Sequence, residues 1–171
     1  ARPFGGTGGE SGPIYRGDGE GEYASEGAGN AALSGIYALR RSKRKGVERM
    51  ALYAIGDTHL SLGGSKPMDL FGGAWEGYVE KLRSGFAPLT AGDAVVFCGD
   101  LSWGMTLEEA LPDFQFIDAL FPGKKYLLKG NHDYWWTTAN KMYTFWSDHG
   151  LERFALLHNN CRFYNETALC G

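Results

Sequence analysis

Three short apolar runs in this chain stop in the same way. ALYAIG (51–56), DAVVFCG (93–99) and KYLLKG (125–130) each end in a glycine, and each glycine is followed at once by Asp57, Asp100 or Asn131. Runs of four to seven apolar residues bounded by turn residues read as buried strands. Segments with helical spacing lie between them. In AWEGYVEKLRSGF (74–86) the apolar residues Trp75, Tyr78, Val79, Leu82 and Phe86 fall on one helical face. TLEEALPDFQFIDALF (106–121) begins with Thr106 as N-cap and acids in its first turn. Pro112 is expected to divide that helix. TTANKMYTFWSDHG (137–150) reads as a helix closed by Gly150, and FALLH (154–158) as a fourth strand. CRFYNETALCG predicts a hairpin about Asn165-Glu166. Continuous apolar strands alternating with helices imply an α/β fold, a sheet covered by helices, with an antiparallel element at the end.

This pattern starts at Met50. Residues 1–49 carry twelve of the 26 glycines, end in RRSKRK and lack sustained apolar periodicity, so they cannot bury a core. They are expected to be disordered, with a short helical turn near Ala31–Leu39. The basic run reads as a solvated segment. KGVERM can be encoded with a ribosome-binding AGGAG ahead of an ATG, so Met50 is expected to be the start and residues 1–49 translated upstream sequence. Residues 50–171 then form the domain.

Of the 171 residues, 43% are hydrophobic and 22% charged, and the net charge is −3. That is enough for one core and offers no overall attraction to nucleic acid or membrane. No apolar run approaches the ~20 residues of a membrane span. Cys98, Cys161 and Cys170 have no zinc-type spacing and read as reduced thiols, which points to the cytoplasm. Cys98, inside an apolar run, reads as a small buried hydrophobe.

In sheets of this kind ligands bind outside the carboxyl ends of the strands. There the first strand delivers Asp57 and His59, the second Asp100, and the third Asn131, His132 and Asp133. The preceding glycines permit sharp turns and close approach. Three carboxylates without a neighbouring Lys or Arg repel one another unless a cation sits among them. Mixed oxygen and nitrogen ligands suit Mn, Fe or Zn better than Mg or Ca. Asp100, in the middle, is the natural bridge between two ions roughly 3.5–4 Å apart, which share a hydroxide and clamp a phosphoryl group. Taken alone, DxH is weak and GD after a strand is weaker, since Asp commonly caps a helix. His149 and His158 read as ordinary helix-end or core histidines. The ordered set of three is what points to a site.

GDTHL, GDLSW and GNHD, in that order and spacing, resemble the first three motifs of calcineurin-like metallophosphoesterases. MALYAIGDTHLSLGG also resembles the start of a bacterial branch of predicted phosphohydrolases. The likeness covers Met50 to Gly171. It implies a sandwich of two mixed β-sheets flanked by helices, and hydrolysis of phosphate mono- or diesters, small-molecule or nucleotide, by a hydroxide bridging two divalent ions. It implies Asp57 and His59 as ligands of the first ion, Asp100 as the bridge and Asn131 as ligand of the second. His132 would contact the phosphate and protonate the leaving oxygen, and Asp133 would orient His132 by accepting its other N–H. Trp103 stands where the family often has another acid. The family's later histidines, a lone one and a GHxH, have no counterpart here, so the chain is expected to be the N-terminal part of a complete enzyme and inactive by itself. A non-catalytic scaffold with the same fold is the alternative. A nucleotide-binding module is disfavoured because no GxxxxGK[ST] or GxGxxG follows a strand. Trp75, at helical spacing, reads as core. Trp103 and Tyr134–Trp136 read equally well as core or as walls of a cleft.

Overall fold

The structure is a computed structural model that describes residues 37–42, 50–64 and 66–171. Strands β1 (Tyr37–Ser42), β2 (Met50–Ile55), β3 (Ala94–Phe97), β4 (Lys124–Leu127) and β5 (Phe154–Leu156) form one sheet in chain order. β2 to β5 run parallel and β1 pairs antiparallel with β2. Parallel neighbours need long crossovers. Helices α1 (Tyr78–Phe86), α2 (Leu107–Leu120) and α3 (Ala139–Asp148) supply them. A hairpin of β6 (Cys161–Tyr164) and β7 (Thr167–Cys170) turns at Asn165, whose φ is 53°.

Alternation along the strands divides the apolar residues between two cores. Ile55, Val95, Phe97 and Leu127 face the helices, where they meet Leu82, Phe86, Phe114, Ile117, Met142 and Trp146. Leu52, Ala94, Val96 and Tyr126 face the other way, against Tyr164 and Leu169 of the hairpin. The Tyr164 hydroxyl anchors that hairpin by hydrogen bonds to the carbonyls of Gly92 (2.6 Å) and Ala51 (3.0 Å). The mixed α/β architecture expected from the alternating pattern is therefore present, with the three parallel strands β2, β3 and β4 adjacent.

Four details differ from expectation. Tyr37–Ser42, inside the stretch expected to be disordered, is strand β1, and so Tyr37–Leu39 are not part of a helical turn. The free edge of β2 supplies the pairing partner that the local sequence does not announce. Residues 1–36 and 43–49 lie outside the described residues. Pro112 does not divide α2, which runs unbroken through it. The carbonyl that loses its helical donor belongs to exposed Glu108. The ring instead packs on the 61–64 loop, where a Cβ on Gly63 would come within 2.9 Å of Pro112 Cγ. Cys161 and Cys170 are not reduced thiols. They are directly paired across the hairpin and form a disulfide. The cytoplasmic expectation rests on reduced thiols, and this bond removes that support. Cys98 is exposed rather than buried. It shares the face of Ala94 and Val96 but lies past the end of β3. No described helix is long and apolar enough to cross a membrane.

Candidate functional site

The carboxyl ends of β2, β3 and β4 continue into loops that stay paired beyond the strands. The amides of Asp57, His59 and Leu60 donate to the carbonyls of Gly99 (3.1 Å), Asp100 (2.9 Å) and Leu101 (2.9 Å). Thr58 Oγ1 donates to the Leu101 carbonyl at 2.9 Å. These bonds hold three residues with positive φ, Asp57 (55°), His59 (43°) and Asp100 (51°). Non-glycine residues are uncommon there, at a cost of roughly 1–2 kcal/mol each. All three are expected metal ligands, and strain of this kind concentrates where a side chain must be aimed.

Close approach of the second and third loops requires glycine. Gly99 has φ +100°, and a Cβ on it would lie 2.7 Å from Gly130 Cα. A Cβ on Gly130 would lie 2.0 Å from Asp100 Oδ1. The same expectation fails at Gly56, where an added Cβ would meet only Cys98 Cβ at an ordinary 3.5 Å.

Asp100 is the centre of what these loops bring together. Its Oδ1 accepts the His132 amide at 2.8 Å, and its Oδ2 lies 2.9 Å from His132 Nδ1. His59 Nε2 is 3.9 Å from Asp100 Oδ2 and 3.5 Å from Asp57 Oδ1. His59, Asp100 and His132 offer ligand atoms that all lie within 4.8 Å of one another. Asn131 joins through its amide nitrogen, 3.1 Å from His132 Nδ1. Asp57 is the open side of the group, its side chain 74% exposed against 9% for Asp100. Burial pushes the Asp100 carboxyl up, but the His132 amide and imidazole and the nearby His59 outweigh it and hold it below the usual carboxylate range.

The donor set fits a divalent cation. Among the described residues, the ion pairs of Asp57 and Asp100 are with histidines alone, so no Lys or Arg neutralises the two carboxylates. His59 turns Nε2 towards both of them, while its Nδ1 is buried and has no hydrogen-bond partner. That orientation makes Nε2 the nitrogen available to an ion.

Asp133 corrects the sequence reading. It does not face His132. Its carboxylate is 1% exposed and is filled by four N–H donors: Asp100 N, Leu101 N and Gly130 N at 2.8 Å each, and Trp135 Nε1 at 3.1 Å. A buried carboxylate needs such partners, and the backbone amides of two loops outcompete one side chain. The effect is to lock the Asp100 loop to the Asn131–His132 loop. The carboxylate that faces His132 is Asp100.

The aromatics divide between core and site. Trp135 is core, and Trp136 is half-buried against His158, ring centroids 5.8 Å apart. Trp75 packs on the core, as its spacing predicts, and also meets His59 edge-on at 6.1 Å. Trp103 stacks on His59 at 4.8 Å with 20° between planes, and lies 4.9 Å from His132. Tyr134 is exposed, 6.2 Å from His132.

Asp113 is a residue the sequence reading passes over. Its carboxylate accepts the Leu62 amide (2.8 Å) and the Ser102 hydroxyl, so it ties the first and second loops to α2. Burial pushes its pKa up, against the two hydrogen bonds. Its position three residues after Ala110 and four before Ile117, both buried, is the signal that places it on the inner face.

A family model described as calcineurin-like phosphoesterase matches residues 50–171. None of the curated proteins matches the chain. A solved structure, that of a protein of unknown function from Aquifex aeolicus, is similar to it with 20% identity and a TM-score of 0.43, over 66% of this chain and 53% of its own. The chain thus spans about half the length of that structure.

Proposed function

We infer function from one premise, which the match over residues 50–171 establishes: the chain belongs to the calcineurin-like phosphoesterase family. The reading that follows is a metal-dependent phosphoester hydrolase centre, with a small phosphoester as substrate. The observation that carries it is the convergence of His59, Asp100 and His132 ligand atoms within 4.8 Å at the ends of adjacent parallel strands.

In this reading Asp57, His59, Asp100 and Asn131 hold divalent ions, Mn, Fe or Zn. Such ions supply Lewis acidity at the phosphoryl oxygens and lower the pKa of a bound water. The chain's own residues do the rest. Asp100 is central because its Oδ2 lies near the ring nitrogens of both His59 and His132 while its Oδ1 accepts the His132 amide. His132 contacts the phosphate and, as imidazolium, donates from Nε2 to the leaving oxygen while its Nδ1 faces Asp100. Asp133 keeps the two loops in register, and so positions Asp100 and His132 together.

Four ligand side chains are few for two ions that each take roughly four to six ligands. Asn131 is a neutral amide and a poor ligand, and it would have to ligate through its oxygen rather than the nitrogen now beside His132. We therefore expect these 171 residues to bind at most one divalent ion, weakly, and to show no turnover above background. The test is calorimetric titration of manganese into the 171-residue chain, beside hydrolysis of a nitrophenyl phosphodiester. One weak site that disappears in Asp100→Asn supports the reading. Binding unaffected by Asp100→Asn would remove the metal centre from these loops. Two tightly held ions with steady turnover would show that the ligand set is sufficient as it stands.

A further inference from the structure

A cleft of ≈ 430 Å³ lies between the 61–66 loop and the 103–105 loop and shares Trp103 with the metal-ligand group. Its volume falls in the range of small-molecule sites, about 300–1,000 Å³. A phosphate group alone would leave most of it empty. We propose that this cleft is the subsite for the leaving group of the phosphoester, and that it takes an uncharged planar ring, as in an aryl or nucleoside ester. The proposal rests on the phosphoesterase reading above and deepens it.

Three observations carry it. The first is position. Trp103 lines the cleft and also contacts both imidazoles, with ring centroids 4.8 Å from His59 and 4.9 Å from His132. Trp103 is thus common to the cleft and to the surroundings of both imidazoles. The second is shape and surface. Trp103 offers a flat apolar ring, and Gly63 and Gly64 bring backbone without side chains to the opposite loop. Met105 lines it with a large apolar side chain that is 56% exposed, and Leu62, 44% exposed, lies between the lining residues Ser61 and Gly63. Flat apolar walls suit a ring, because every aromatic ring has a face to stack.

The third is charge. Among the described residues the lining holds one cation, Lys66, and two acids, Glu109 and Asp113, of which Asp113 is buried at 1% exposure. Glu109 already accepts the Met105 amide at 2.8 Å, and Asp113 accepts Leu62 N and the Ser102 hydroxyl. Exposed Lys66 and Glu109 offset one another, so a second phosphate or a carboxylate entering here would find no net positive charge. A neutral ring with a few hydroxyl or ring-nitrogen groups needs none, and it could use Lys66 and Ser61 for hydrogen bonds. The cleft thus discriminates against polyphosphates and phosphorylated acidic peptides and in favour of a neutral ring.

Trp103 both packs His59 and walls the cleft, so one side chain links the metal-ligand group to the choice of substrate.

The test is binding to the full 171-residue chain with manganese present, followed by the indole N–H resonance of Trp103, assigned with Trp103→Phe. The probes are phenyl phosphate, ribose 5-phosphate and inorganic phosphate. The expected result is that phenyl phosphate shifts the Trp103 resonance and binds at least about tenfold more tightly than ribose 5-phosphate, the size of one stacked ring. In Met105→Glu, which replaces an apolar wall by a third acid, the ratio of the two affinities should fall towards one. Equal affinities for phenyl phosphate and ribose 5-phosphate in the unaltered chain would overturn the proposal. So would a Trp103 resonance that phenyl phosphate leaves unmoved. If all three phosphates bind and the ring gives no advantage, the phosphoesterase reading survives and the subsite does not. If phenyl phosphate moves Trp103 equally with and without manganese and inorganic phosphate does not bind, the cleft is a ring site and the phosphoesterase reading fails.

Discussion

Replacing Asp133 by Asn separates a structural clamp from a catalytic orienter. In the structure Oδ2 accepts Asp100 N and Gly130 N, and Oδ1 accepts Leu101 N and Trp135 Nε1. Asparagine is nearly isosteric but turns one of those oxygens into an amino group. Whichever way the amide is placed, two of the four donors then face another donor. A hydrogen bond to a charged group contributes ~1.5–3 kcal/mol, so losing two costs roughly 3–6 kcal/mol. The two that remain also lose the carboxylate's charge, and relief from burying that charge offsets part of the total. A loss of this size is a large fraction of a domain's ~5–15 kcal/mol. Urea unfolding followed by tryptophan fluorescence measures it. Native-state amide exchange adds location, with Asp100, Leu101 and Gly130 predicted to lose protection ahead of the β2–β3 ladder. If Asp133 instead served His132 alone, Asp133→Asn would leave the unfolding midpoint nearly unchanged. A loss below about 1 kcal/mol, the worth of one ordinary hydrogen bond, would refute the clamp.

Gly130→Ala should be much more damaging than Gly56→Ala, because the new Cβ falls 2.0 Å from Asp100 Oδ1 in the first and 3.5 Å from Cys98 Cβ in the second. Thermal melts of both should differ by several degrees, the mark of ~1–3 kcal/mol of overpacking. Asp100→Asn should weaken manganese binding at least ~10²-fold, given that even outer-shell partners cost 10–100-fold, while exposed Asp57→Asn should cost less. Calorimetry with both variants distinguishes a central from a peripheral ligand, and equal losses would remove Asp100 from the centre. Burial, only partly offset by Asp118, brings Lys125 down to about 8, so the folded chain binds fewer protons than the unfolded one between that pH and the free lysine's 10.5. The contribution of Lys125 to stability should therefore rise as pH increases from about 8 to 10.5. It is read as the difference between the unaltered chain and Lys125→Met, which leaves Asp118 paired with Arg153. That difference cancels the opposite effect of the raised Cys98 and tyrosine pKa values.

The strands β2 to β5, the three crossover helices and the final hairpin are legible in the chain because each depends on local terms. These are apolar runs of strand length, helical spacing, Thr106 as a cap and a turn at Asn165, which a short window contains. The expected ligands Asp57, His59, Asp100 and Asn131 are legible for a related reason. In a parallel sheet the ends of adjacent strands converge, so residues placed just after three such runs reach one region without any further information. Partners across the fold are a different matter. The Cys161–Cys170 bond follows from the hairpin register, and β1 from a free edge on β2. The exposure of Cys98 follows from its place just past the end of β3. Asp133 looks like part of a catalytic crowd when read beside His132, yet its oxygens are claimed by amides 32 and 33 residues away. Local sequence sets which groups are polar and where a strand stops. Which donor meets which acceptor is set by distances between segments, and those exist only once the sheet has assembled.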